Sequence, residues 1–267
     1  HTVFNITMTL IWVCLIKLMV KIVMTLIPDG KKGVEDPGSP IYLDENIISQ
    51  PAAALQLVAK EIFRMSDQVR DILKKTIELV KNEEVKSIDG LKENGEQVER
   101  LGKCITEYLA ALFSSGLLTE QQAAQTASLM CVLSDVERMG TLSVEMAECM
   151  LERSDRKYKY TPEAMDELQK SLKVLNKMFC DSLKALQGDD GIEPGKMMKR
   201  KDKLLDLDIK MRKAHIERVN KGKCKASLTA PFTNILHLID RMGNSCINLA
   251  DVAESGTSMK YFMLEEK

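Results

Sequence analysis

Two stretches of the chain carry four oxygen-bearing side chains each, at a spacing that keeps them together. In the first they are Glu137, Thr141, Glu145 and Glu148; in the second they are Asp240, Asn244, Asn248 and Asp251. Steps of four, four and three residues put each set on one face of an α-helix. Carboxylates in such a row suit one chemistry above others. They ligate hard cations through oxygen, with acids on facing helices completing the shell. The plain alternative is the solvated face of an amphipathic helix, with Arg138 and Arg241 pairing locally with the acids. Recurrence strengthens the first reading. Arg138-Met139-Gly140 returns as Arg241-Met242-Gly243, and Ala147 returns as Ala250, a repeat of roughly 100 residues. Gly140 and Gly243 each cost a helix about 1 kcal/mol relative to Ala, which close packing of a neighbouring helix explains.

Other chemistries find less support. His215 and His237 are the only histidines beyond His1. His237 lies one turn before Asp240 and has the right type for a metal ligand, but a single helical histidine is more often packed or solvated. No Cys/His or Ser/His arrangement suggests a nucleophile, so the chain does not read as an enzyme. The segment Gly191–Met197 lacks the spacing, the hydroxyl after its lysine and the preceding strand of a phosphate loop. Lys plus Arg (38) balances Asp plus Glu (39), which gives no support to nucleic-acid binding. The seven cysteines form no Cys-x-x-Cys pair and read as reduced packing residues. The basic run Lys196–Lys203 reads as a solvated helix start rather than a lipid contact.

The elements that hold the two stripes are long helices. Aromatics are only 4 %, too few for a sandwich or barrel. From Ala52, apolar residues recur at alternating three- and four-residue steps: Leu55, Val58, Ile62, Met65, Val69 and Ile72 begin the first seam. Thr119 and Gln122 form a capping box at the start of a third helix, and Thr161-Pro162 caps a fourth. The expected fold is all-α: two tandem three-helix bundles, each ending in a polar-striped helix, preceded by a partial transmembrane helix. Residues 52–153 form the first bundle, 154–162 a charged connector, 163–257 the second bundle and 258–267 a tail. Short connections imply antiparallel neighbours.

The N-terminal part reads differently. Val3–Ile27 is apolar apart from Lys17 and Lys21, and Lys31 and Lys32 follow it. Residues 1–27 therefore read as the end of a transmembrane helix, with residues after about 27 in the cytoplasm. Residues 28–51, rich in Pro and Gly, read as a linker whose Tyr42-Leu43-Asp44-Glu45 docks on the helices. The chain begins at His1 and is expected to be a fragment.

The Glu-Arg-Met-Gly helix with its downstream polar positions, present twice in paired three-helix bundles, resembles the PhoU domain over about Ala52–Ser255. The family pattern is close to Asp-Leu-Glu-Arg-Ile-Gly-Asp followed by Asn and Glu. His1–Asn5, the apolar run and Pro40–Asp44 resemble the last membrane helix and linker of bacterial sodium-dependent phosphate cotransporters, which carry a PhoU-like domain at the C-terminus. The resemblance implies a regulatory domain of phosphate transport at the bacterial inner (cell) membrane. It also implies divalent or iron-type metal ions, with Glu137, Glu145, Glu148, Asp240, Asn244, Asn248 and Asp251 as candidate ligands. Sodium and phosphate would belong only to the missing transport core. The implied partners are the chain's own transmembrane transport domain, a second copy in a homodimer, and phosphate-signalling proteins. Thr141 and Asn244 stand where the family has its second acid, so metal affinity is expected to be weak or absent. The competing readings are a membrane-tethered helical adaptor unrelated to phosphate and, last, a metalloenzyme.

Overall fold

The computed structural model describes residues 4–9, 12, 15, 36–81, 87–154, 159–188 and 194–254. The chain divides into two units, His1–Asp36 and Pro37–Lys267. In the first unit residues 4–9, 12 and 15 are helical. The rest of the apolar run and the tail 258–267 lie outside the described residues. Among the described residues no helix is long and apolar enough to cross a membrane. The expected placement at a bacterial cell membrane is therefore corrected. The expected membrane segment itself, residues 1–27, is described only at residues 4–9, 12 and 15, too few to make a span of about 20 residues.

The second unit holds α1 (Pro51–Lys81), α2 (Asp89–Ser114), α3 (Glu120–Ser154), α4 (Pro162–Leu186), α5 (Pro194–Asn220) and α6 (Thr229–Glu254). Short 3-10 turns at Glu45–Ile47 and Ala226–Leu228 precede α1 and α6. No strand occurs among the described residues. Helices α1, α2 and α3 pack on one another, as do α4, α5 and α6. Contacts of α1 with α4 and of α3 with α6 join the trios, and one apolar core runs through both. The seam of α1 is buried from Leu55 through Val58, Ile62, Met65, Val69 and Ile72 to Thr76, the arc that a three-to-four-residue period turns toward one side.

Local chemistry sets the helix ends. At the start of α3, Gln122 N donates to Thr119 Oγ1 at 3.3 Å and Thr119 N donates to Gln122 Oε1 at 3.0 Å. These bonds satisfy two donors that no helical carbonyl can reach. Thr161 Oγ1 accepts from Ala164 N at 3.3 Å, with Pro162 in the first turn of α4. Gly116, Gly188 and Gly222, at φ 69°, 82° and 69°, follow α2, α4 and α5 in the left-handed conformation that ends a helix cheaply.

Residues before α1 are clamped to it by a buried acid. Glu61 is fully buried. Its Oε2 accepts from Ile41 N at 2.9 Å and Tyr42 N at 2.7 Å, and its Oε1 accepts from Arg64 Nε at 2.5 Å. Arg64 also donates to Pro37 O (3.1 Å) and Ser39 O (2.7 Å). Tyr108 Oη of α2 donates to Asp44 O at 2.9 Å. A buried carboxylate is tolerated only when its charge is matched and its lone pairs are filled, and here both conditions are met. Replacing Glu61 with Ala strands the guanidinium and two amides. We expect the unfolding free energy to fall by about 2–4 kcal/mol and residues 36–47 to become the first site of limited proteolysis. Urea unfolding and peptide mapping of the digest check both.

Candidate functional site

The two striped helices pack on each other. Helices α3 and α6 run antiparallel, in a register marked by three polar contacts. Asn234 Nδ2 donates to Cys149 Sγ at 3.3 Å, Ser143 Oγ lies 3.7 Å from Met242 Sδ, and Asn248 Nδ2 donates to Asp135 Oδ1 at 3.2 Å. Met139, Met146, Met242, Cys246 and Leu249 are fully buried along these two helices. Ser143 Oγ donates to Met139 O (2.7 Å), while Ser143 O accepts from Thr76 Oγ1 of α1 (3.0 Å). With the apolar faces used this way, the stripes turn outward, that of α3 toward α2 and that of α6 toward α5. The candidate residues therefore form two separate places.

Glu137 opens the first. It is half-buried over Gly102 of α2, where a Cβ would stand 3.2 Å from Glu137 Oε2. Glu96, Glu99, Arg100, Lys103, Thr106 and Glu107 line the same shallow hollow. Burial, and then the neighbouring charge of Glu99, push the Glu137 carboxyl above its ordinary value. Thr141 Oγ1 donates to Glu137 O at 3.2 Å, a bond within its own helix. Glu148 is taken by Lys92 of α2 at 2.8 Å, and that hydrogen bond holds the ammonium above its usual pKa.

The second place is built otherwise. Lys201 of α5 donates to Asp240 Oδ1 at 2.5 Å and to Asp240 O at 3.1 Å. Asn244 Nδ2 approaches Asp240 Oδ2 at 3.5 Å, Asn248 is spent on Asp135 of α3, and Asp251 is exposed. The glycines explain how each neighbour comes so close. A Cβ on Gly140 would meet Val69 Cγ2 at 3.3 Å and Val98 Cγ1 at 3.4 Å; one on Gly243 would meet Leu204 Cδ1 at 3.1 Å and Lys201 Nζ at 3.4 Å. Val98 and Lys201 thus stand opposite the motif glycine in their respective trios.

Neither place fits a metal cluster. An ammonium already neutralises Asp240. In the first place Glu137 and Glu99 are coupled through their charges, and Glu96 and Glu107 line the hollow with Arg100 and Lys103 among them. Among the described residues no group of three or more His, Cys, Asp or Glu is arranged to hold a metal ion. Arg138 and Arg241 are exposed, as is His237. His215 is buried and stacked on Phe232 at 4.6 Å, with Nε2 3.1 Å from Thr229 Oγ1. Burial, helped by Arg218, holds its imidazole below the ordinary pKa, and it faces neither stripe. The basic run that opens α5 is partly internal: Arg200 pairs with Asp181 and Lys201 with Asp240. The residues that sequence reasoning missed are Glu99, Lys92 and Lys201, all on the helices facing the stripes. Aligning the two repeats over their middle helices would have set Lys201 against Val98 and exposed the change.

Residues 62–150 match the model of the PhoU domain family, so that the segment running from α1 through most of α3 is PhoU-like in sequence, and the all-α fold is PhoU-like over 73 % of the chain. Two particular proteins extend the likeness. The phosphate-specific transport system accessory protein PhoU homolog 1 of Thermotoga maritima is 24 % identical over 209 residues, which is 77 % of this chain and 88 % of that protein. The crystal structure of PhoU from Pseudomonas aeruginosa superposes with a TM-score of 0.67 at 13 % identity, covering 73 % of this chain and 93 % of that one. Both relatives consist almost wholly of the matched part. The match leaves only 12 % and 7 % of those two chains uncovered, and the placement at a membrane finds no support in it.

The raised Glu137 pKa has a signed consequence. A carboxyl that holds its proton more tightly when folded contributes most below the unfolded pKa, and that contribution is lost as pH rises through the folded pKa. At pH 7 the charged Glu137 therefore opposes folding. Glu137→Gln should raise the unfolding free energy at pH 7 by roughly 0.5 kcal/mol, the scale of a partly exposed charge contact. The gain should disappear near pH 4, where the wild-type carboxyl is largely protonated (unperturbed value about 4.3). Paired urea titrations at the two pH values check it.

Proposed function

We propose that this chain is a PhoU-type regulatory module that ties the control of phosphate uptake to the state of its two-trio helical body. The observation that carries this is the match of residues 62–150 to the PhoU domain. It is joined by a likeness, over most of both chains, to a protein named as an accessory of phosphate-specific transport. The finer reading is a module serving a sodium-dependent phosphate cotransporter. Its support is the resemblance of His1–Asn5 and Pro40–Asp44 to that family. In this reading the module performs no bond-making step. It acts through its partner, and residues 37–47, clamped by Glu61 and Arg64, are its connection to whatever precedes them.

Deleting residues 51–254 from the encoding gene should leave a phosphate uptake path but change its dependence on external phosphate. Radiolabelled phosphate uptake in cells grown at high and low phosphate, with and without sodium, is the measurement. Unaltered uptake under all four conditions would remove the proposal, and a change that ignores sodium would remove only the finer reading.

Metal loading in this proposal is weak or lost. What supports it is Lys201 on Asp240, together with Thr141 and Asn244 at the positions of the family's second acid. Elemental analysis of the purified chain after dialysis against iron, manganese or zinc should give less than about 0.1 equivalent, since affinity follows the number of charged oxygen ligands. A stoichiometric content would overturn it.

A further inference from the structure

A hollow of about 450 Å³ between α4 and α5 is lined by cations from both helices. Lys170, Lys173 and Lys177 come from α4, and Arg200 and Lys203 from α5. Steps of three and four residues keep each set on one face of its helix. The two helices run antiparallel, because Arg200 pairs with Asp181 and Arg218 pairs with Glu167 at 3.1 Å. In that register Lys203 stands level with Lys177, and the half-buried Leu207 and Val174 supply an apolar floor. Among the described residues no carboxylate lines the hollow. In a chain with 38 basic and 39 acidic residues, such a gathering is a local excess of one sign.

The fold leaves most of this charge unbalanced. Elsewhere lysines are matched from within: Lys92 by Glu148, Lys201 by Asp240 and Lys210 by Asp206. In the hollow, Lys170 is paired with Asp166 at 2.6 Å and Arg200 with Asp181. Lys173, Lys177 and Lys203 make no ion pair among the described residues. Like charges gathered in one hollow repel, and a cleft walled by one sign concentrates its field on whatever enters. The missing counter-charge is left for a ligand to supply. The wall also selects the kind of ligand. Every polar side chain on it is a donor without acceptor capacity, so the ligand must consist of acceptors. A sugar or a nucleobase finds neither an acceptor nor an aromatic face there. Arg200 is only 20 % exposed and is steadied by Asp181. Its planar guanidinium matches the oxygens of a phosphate two at a time. The exposed lysines, as mobile point charges, suit further phosphates of the same ligand. The volume lies in the range of small-molecule sites.

We infer that the hollow between α4 and α5 binds an anion built of linked phosphate groups, whether a free inorganic oligophosphate or the phosphate tail of a nucleotide. Arg200 takes one phosphate, and Lys173, Lys177 and Lys203 take the others. Val174 and Leu207 keep water from the side beneath. The inference stands on this hollow alone and does not depend on the regulatory reading.

Isothermal titration calorimetry of the full 267-residue chain with sodium tripolyphosphate, at about 0.15 M salt, tests it. A dissociation constant of about 10 μM is expected, and binding should weaken as salt is raised. Lys173→Gln, Lys177→Gln and Lys203→Gln together, all at exposed positions, should weaken it by about 30-fold, with circular dichroism confirming the fold. Lys103→Gln, Lys210→Gln and Lys213→Gln together change the net charge equally but lie outside the hollow. They should alter binding by less than about twofold. ATP and citrate are the comparison probes. ATP that binds as tightly as tripolyphosphate assigns the hollow to a nucleotide's tail. ATP that binds about tenfold more weakly assigns it to a free oligophosphate, and both results support the proposal. Citrate binding as tightly as tripolyphosphate would overturn it, since the site would then take any polyanion. So would an absence of binding up to about 1 mM tripolyphosphate, or an equal loss in the two triple variants. Binding to phosphatidylglycerol vesicles without binding to tripolyphosphate would overturn it too, making the hollow a membrane contact.

Discussion

The antiparallel seam between α3 and α6 is the contact on which the rest of the molecule depends. It joins the last helix of one trio to the last helix of the other, and it buries the same face of a duplicated motif twice. Met139 and Met242 come from equivalent places in the repeat, and both are fully buried. Methionine suits a seam in which two copies of one helix must accommodate each other, because its unbranched thioether fills irregular space. Once these faces are committed, geometry leaves little choice for the others. The motif glycines must admit α1 and α2 on one side and α5 on the other, and the polar stripes must point outward to the middle helix of each trio.

The copies have diverged in how they handle charge at that outward position. In the first, an acid on α2 faces an acid on α3, and the hollow between them remains polar and open. In the second, α5 presents a lysine, and the acid of α6 is neutralised from within. Close approach of α5 at Gly243 makes this possible, since the ammonium lies where a longer side chain on α6 would collide with it. At this position the second trio carries its counter-charge on the neighbouring helix, whereas the first sets Glu99 beside Glu137 and places its lysine contact farther along, at Glu148. Two halves that match in backbone thus differ in electrostatics.

Much of the fold was legible in the residues. The three-to-four-residue seams marked the long helices. Thr119 with Gln122 and Thr161 with Pro162 marked two starts to the residue, because capping is a local exchange between neighbours. Duplication of Arg-Met-Gly pointed to paired trios and to the PhoU likeness. What escaped was non-local. Glu61 sits within the α1 seam and reads as an exposed helix charge until residues 41 and 42 fold back on it. Lys201 sits in a run of lysines with nothing to distinguish it from its neighbours. The hollow between α4 and α5 draws its cations from two helices, and neither set stands out on its own. The apolar N-terminal run was read as a membrane segment from its apolar residues, the lysines at and after its end and its likeness to cotransporters, and among the described residues no helix is long and apolar enough to cross a membrane.

The clamp at Glu61 and Arg64 has a mechanical meaning. A chain that ran straight into the first turn of α1 would transmit tension to the helix end, where turns unwind one at a time. Here residues 37–42 are tied to side chains more than two turns inside α1. Tension arriving at residue 37 is therefore met first by the bonds to Glu61 and Arg64, and several of these must yield together before the first turn of α1 is loaded. The module is built to be pulled as a body rather than unzipped.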